Sequence, residues 1–253
     1  MKPYVSLSVG QGATWSLLAL ALTTGALMPR AQAQQAQNSP IANVDACNGK
    51  NHASLEVQIA GCTALIKTED DNSKLSAIAH NNRGNALLSL GKYDLAIEDY
   101  NAAIKLNPNY AKALNNRGLA HLKKGEYDQA IADFDAAIKN DPAYSTAIAS
   151  RAMTYQKKGD YPDAVKDFDA AIKLHPEVGS LWNGRCWARA IAGDLQGALS
   201  DCNEAVRLMP NTADALDSRG LTYLKLSQWG LATARGKIAA VALSVRRAGA
   251  ERR

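Results

Sequence analysis

Arginine and aspartate recur together along this chain of 253 residues. Arg83, Arg117, Arg151 and Arg185 lie 34 residues apart, and Asp99, Asp133, Asp167 and Asp201 follow each of them by sixteen. Such a ladder could do either of two things. Four guanidiniums on one face could hold an anionic ligand, since the planar fork of arginine matches a carboxylate or phosphate. Alternatively, each arginine could pair with its aspartate across two facing helices and tie the structure together. The pairing reading is preferred, because a partly buried guanidinium is normally matched by an acid.

Cysteine shows a second echo. Cys186 and Cys202 are sixteen residues apart and Cys47 and Cys62 fifteen, and Cys62-Thr-Ala-Leu-Ile-Lys aligns with Cys202-Asn-Glu-Ala-Val-Arg. Two disulfides, Cys47–Cys62 and Cys186–Cys202, are expected in a secreted chain. Each loop of about fifteen residues would contribute on the order of 3 kcal/mol. Four buried thiols are the alternative. Metal binding is disfavoured, because there is no C-x-x-C and no histidine at ligand spacing. His52, His80, His121 and His175 fall at unrelated repeat positions, which argues against a shared general base. Gly-x-Ser-x-Gly, a phosphate loop and H-E-x-x-H are all missing from the sequence. Neither an enzyme nor a cofactor is expected.

The ends of the chain differ from its middle. Residues 1–33 combine Lys2, an apolar run from Trp15 to Leu27 and a small-residue Ala31-Gln32-Ala33 site, which reads as a secretory signal peptide cleaved after Ala33. An uncleaved anchor is the competing reading, since Val5 to Met28 carries no charge. The run is short of the roughly 20 apolar residues a span needs, so no stable membrane insertion is expected after cleavage. The first cysteine after the run is Cys47, which disfavours a lipid anchor at the cleavage site. Residues 34–230 hold 21 basic against 23 acidic side chains, whereas 231–253 hold six basic and one acidic. The middle therefore lacks the basic stripe that nucleic-acid binding requires.

What positions the ladder is a 34-residue period, marked by Asn-Pro, Asp-Pro, His-Pro and Met-Pro at 107–108, 141–142, 175–176 and 209–210. A helically patterned unit of that length cannot bury its apolar face alone and must stack on copies of itself. The units run 77–110, 111–144, 145–178 and 179–212. A polar linker (34–43) and a degenerate helical hairpin (44–76) precede them; a partial unit (213–230) and a diverged basic tail (231–253) follow. In each unit the first helix should end near Gly91, Gly125, Gly159 or Gly193, where glycine tolerates the left-handed conformation. The second helix should begin at Asp94, Asp128 or Pro162-Asp163 and stop before the proline. Gly84, Gly118 and Ala152 are expected to face Ala96, Ala130 and Ala164. Tyr100, Phe134 and Phe168 should fill the gap beside Ala103, Ala137 and Ala171.

These small, aromatic and proline positions resemble the tetratricopeptide repeat (TPR) family over roughly residues 77–230, in four consecutive units. The resemblance implies an all-α, right-handed superhelical solenoid of antiparallel helix pairs, with a concave groove lined by the first helix of each unit that holds a peptide or partner helix. By family position the groove residues are Asn81, Asn82, Asn85, Lys112, Asn115, Asn116, Lys123, Met153, Lys157, Asn183 and Trp187. Asparagine can both donate to and accept from an extended peptide backbone; the plainer reading makes the Asn-Asn-Arg-Gly runs solvated polar faces. Some family members clamp a C-terminal carboxylate with two asparagines and three basic residues. Asn85 and Asn116 match the asparagines, but Asn81, Thr146 and Ser150 stand at the basic positions, so that clamp is not expected here.

The fifth unit starts with Arg219-Gly220 and Tyr223 but breaks after Trp229, where Arg235 and Gly236 replace the aspartate and the aromatic. A frameshifted or diverged end is preferred over a functional basic tail. The expected function is a non-catalytic scaffold, periplasmic or extracellular, whose partner is a protein or peptide and not nucleic acid. An adaptor for membrane surfaces or polyanions, acting through the tail, is the alternative.

Overall fold

The computed structural model describes residues 40–68 and 74–226. The signal segment, residues 34–39 of the linker, the end of the fifth unit and the basic tail lie outside the described residues. Among the described residues every regular element is helical. Helices α1 (Pro40–Cys47) and α2 (Leu55–Thr68) form a first hairpin, joined by a short 3-10 turn at Lys50–His52. Then come α3 (Lys74–Ser89) with α4 (Tyr93–Leu106), α5 (Ala111–Lys124) with α6 (Tyr127–Asn140), α7 (Ser145–Lys158) with α8 (Tyr161–Leu174), and α9 (Gly179–Ala192) with α10 (Leu195–Leu208). Helix α11 (Ala213–Lys225) packs on α9 and α10. Each helix touches chiefly its neighbours in sequence. The expected all-α solenoid of helix pairs is what the chain forms.

Local chemistry explains the period. Gly91, Gly125, Gly159 and Gly193 take φ between 73° and 96°, a left-handed conformation that stops the first helix of each pair. Around Gly125 the backbone closes a paired cap, with Glu126 N–H donating to His121 at 2.9 Å and Gly125 N–H to Leu122 at 3.1 Å. The second helices open at Tyr93, Tyr127 and Tyr161, one or two residues before the expected acids. Lys92, Glu126 and Asp160 cap them without a side-chain hydrogen bond, whereas Asp194 accepts from Gly197 N–H at 3.0 Å. Helix α1 also begins earlier than the expected linker boundary, at Pro40, and α3 begins at Lys74.

Close packing fixes how the pairs cross. A Cβ added to Gly84 would stand 2.6 Å from the ring of Tyr100, and one added to Gly118 would stand 2.7 Å from that of Phe134. The aromatic ring itself, more than the alanine expected there, lies over the glycine. Tyr100, Phe134 and Phe168 are fully or almost fully buried, as are Ala96, Ala130 and Ala164. Apolar residues gather in successive clusters along the stack, the pattern expected when each unit stabilises the next.

Candidate binding groove

Three nitrogens of each ladder arginine are engaged within the protein. Nε and Nη2 form a fork on the aspartate sixteen residues later: Arg83 on Asp99 at 2.8 and 2.7 Å, Arg117 on Asp133 at 2.9 and 2.6 Å, Arg151 on Asp167 at 2.7 and 2.7 Å, Arg185 on Asp201 at 2.8 and 2.6 Å. The remaining Nη1 reaches backward to the preceding hairpin, donating to Thr63, Asn101, Asp135 and Asp169 in turn. One side chain on a first helix therefore binds two successive second helices. Donating its hydrogen bonds to Asp99 raises the Arg83 guanidinium above its ordinary pKa despite burial, and donation to Asp167 does the same for Arg151. Burial alone would raise the Asp99 carboxyl. Hydrogen bonds from Arg83 and from His80, 2.9 Å away, outweigh it and hold that carboxyl below its usual range. The pairing reading is the one realised, and the ladder offers no fork to a ligand. Arg219 stands at the same position of α11 with its Nε buried and unpartnered, and sixteen residues on the sequence has Arg235 where an acid would be needed.

The first helices α3 and α5 bring five of the groove asparagines together. Asn116 Nδ2 donates to Asn81 Oδ1 at 3.1 Å and to Asn85 Oδ1 at 2.8 Å, while Asn115 Nδ2 donates to Asn116 Oδ1 at 3.2 Å. Tyr100 OH donates to Asn85 Oδ1 at 2.9 Å, and Asn81 and Asn82 extend the chain of amides back to Asn48. Asn81 and Asn115 are buried, at 4% and 2% exposure, so these runs are not the solvated face that the plainer reading made them. The amides knit neighbouring hairpins.

Farther along the stack the same wall changes character. Helices α7, α9 and α11, with Phe168 of α8, line an open pocket of about 560 Å³, and Met153, Phe168, Leu181, Trp187 and Leu221 are its apolar lining. Asn183, Asp214, Asp217, Ser180 and Ser218 supply its polar rim. The Tyr161 ring packs edge-on against Trp187, centroids 5.9 Å apart, and steadies the indole. Met153, Trp187 and Leu221 share one repeat position, 34 residues apart, where the earlier units carry Asn85 and Leu119. Asn183 and Asp217 likewise share the position of Asn81, Asn115 and Ala149. Of the residues named from sequence, the structure brings Met153, Asn183 and Trp187 into this pocket. Lys112, Lys123 and Lys157 are exposed and outside its lining. Asp214, Asp217 and Leu221 were missed, although carrying the repeat register forward by one unit would have found them.

A sequence profile described as tetratricopeptide repeat matches residues 75–145 and 150–215, more than half of the chain. The chain belongs to the tetratricopeptide repeat family. No curated protein matches it. Among solved structures it is similar in fold to YrrB, a TPR protein with an unusual peptide-binding site, at 22% identity and a TM-score of 0.57 over 71% of this chain and 88% of that one. A TPR protein from Parabacteroides merdae aligns with a TM-score of 0.63 at 19% identity, over 77% of this chain and 73% of that one. MamA from Desulfovibrio magneticus RS-1 aligns with 0.61 at 18% identity, over 69% and 97%. TPR proteins mediate protein–protein interaction and peptide binding, and they are typically non-catalytic scaffolds.

The cysteines of this TPR chain stand where its glycines and aromatics stand elsewhere. Cys186 takes the repeat position of Gly84 and Gly118, and Cys202 that of Tyr100, Phe134 and Phe168. Their sulfurs lie within bonding distance, with Cα atoms 5.3 Å apart; those of Cys47 and Cys62 do the same with Cα atoms 4.6 Å apart. All four side chains are buried. A bridge needs less space than a ring over a glycine, and it can hold the same crossing of two helices.

Two outcomes are expected from the ladder. Arg151→Ala leaves Asp167 buried without its fork and frees Asp135, so urea denaturation should show a loss of about 3 kcal/mol. Peptide affinity should change less; the reverse order would return the ladder to the binding site. For Asp99 the folded carboxyl titrates below the unfolded value of about 3.9. Its contribution is thus complete above that value and disappears as pH falls through the folded pKa. Between pH 5 and pH 3 the wild type should lose more stability than Asp99→Asn, and equal losses would show that this carboxylate carries none of the effect.

Proposed function

We propose that this chain is a secreted TPR scaffold, periplasmic or extracellular, that grips an extended segment of another protein in its concave groove and performs no catalysis itself. The observation that carries the reading is the pocket of about 560 Å³ built by three successive first helices. Its volume lies within the range of about 300–1,000 Å³ usual for ligand sites, and an aromatic and several aliphatic side chains converge in it. Met153 is exposed at 43% in this concavity, an adaptable apolar contact without a partner in the hairpin core. The apolar run and the small-residue site in 1–33 support export. So do four cysteines placed in two close pairs, because disulfides persist in oxidising compartments.

On an array of random-sequence peptides, the wild-type chain should retain a subset that Trp187→Ala loses at least tenfold. An unchanged pattern would remove the pocket from the binding surface. Independently, the chain purified without reductant and unfolded in guanidinium should show no free thiol, and four reactive thiols would rule out both bridges.

A further inference from the structure

Resting on that groove reading, we propose that the pocket selects a cationic segment of a partner: a bulky apolar side chain seated against Met153, Trp187 and Leu221, with a neighbouring lysine or arginine held by Asp214 and Asp217.

The argument is one of complementarity between what the pocket offers and what it lacks. Asp214 and Asp217 are exposed on α11 and have no ion-pair or hydrogen-bond partner among the described residues. That sets them apart from Asp99, Asp133, Asp167 and Asp201, each held in an arginine fork. Asp214 lies in the first turn of its helix, where the helix dipole favours an acid. Asp217 lies beyond that turn, and the dipole gives it no such reason. Asn183 Oδ1 is buried without a hydrogen-bond partner, as is Asn115 Oδ1 at the same repeat position outside the pocket, so neither distinguishes the pocket. Gln156, the other lining amide, already donates to Gly184 O at 2.8 Å. Among the described residues no lysine or arginine lines the pocket. The wall thus carries two unpartnered carboxylates as its charged groups, beside the Ser180 and Ser218 hydroxyls and the Trp187 N–H, and the carboxylates call for cationic donors from the ligand. An ammonium or guanidinium answers the two carboxylates through charge-assisted hydrogen bonds. An acidic ligand would meet two uncompensated like charges beside an apolar wall. The family's carboxylate clamp would take the opposite class of ligand.

The test uses the purified chain and three acetylated, amidated nine-residue peptides that differ only in charge and anchor: a central leucine flanked by arginines, the same leucine flanked by glutamates, and a central serine flanked by arginines. Fluorescence anisotropy at low salt should rank the arginine–leucine peptide first, with the other two about tenfold or more weaker. Asp214→Asn with Asp217→Asn should weaken the arginine–leucine peptide about tenfold and abolish its lead over the glutamate peptide, with helical circular dichroism unchanged. A glutamate peptide that binds as tightly, or a double variant without effect, overturns the cationic class. If the leucine peptides bind equally and Trp187→Ala weakens both, the groove reading stands and only this inference fails. If none of the peptides binds, or binding ignores Trp187→Ala, both fall. Binding that emerges only once residues 231–253 are removed would make the chain's own basic tail the occupant and overturn the partner proposal.

Discussion

No helix in this stack is long enough to persist by itself. Most are fourteen residues, a length at which an isolated helix is marginal in water. Each must bury its apolar stripe on the helix before it and the helix after it. That mutual dependence requires close approach, and close approach requires small residues at the crossing. Gly84 and Gly118 lie directly beneath aromatic rings, and a single added carbon would meet those rings well inside van der Waals contact.

The arginine fork turns a stack of similar hairpins into one with a fixed register. Packing alone would tolerate small slips between units, since alanine-rich surfaces present much the same face in several positions. A guanidinium held by two oxygens of one second helix and by a third acceptor on the previous one allows a single alignment of three helices. Such pairs add little net stability relative to apolar replacements, so their main contribution here is to alignment. The cysteine pairs bring the two helices of a hairpin within sulfur–sulfur bonding distance at the point where other units rely on a ring over a glycine.

With the inter-helix surfaces committed to packing, the concave wall is free to vary, and it does. Over α3 and α5 it is a run of amides bonded to one another, with the Asn115 oxygen buried and unpaired. Over α7, α9 and α11 the position of Asn85 carries Met153, Trp187 and Leu221, with unpaired carboxylates at the rim. An amide network whose unpaired oxygen, that of Asn115, is buried offers a ligand little, because other new hydrogen bonds must replace existing ones. An apolar pocket edged by unpartnered acceptors has both surface to bury and polar groups to satisfy. The two halves of one groove therefore differ in what they can recognise, although their backbones are alike.

Much of this was legible in the residues. The period of 34, the left-handed glycines and the offset of sixteen between arginine and aspartate each follow from local rules that repeat four times, and the matched cysteines recur in two hairpins. Repetition turns a weak local signal into a firm one. The backward reach of each arginine to the preceding hairpin was not legible, nor was the burial of Asn81 and Asn115 in an amide network. Both depend on how far one unit rotates on the next, a quantity summed over many small contacts that no single residue encodes. The sequence by itself determined the helical hairpins, their order and the partners within each pair, because those contacts are close along the chain and dictated by residue size. Only the tertiary structure decided which residues of separate units share a pocket and which polar atoms there are left without partners, because curvature brings together side chains that lie 34 and 68 positions apart.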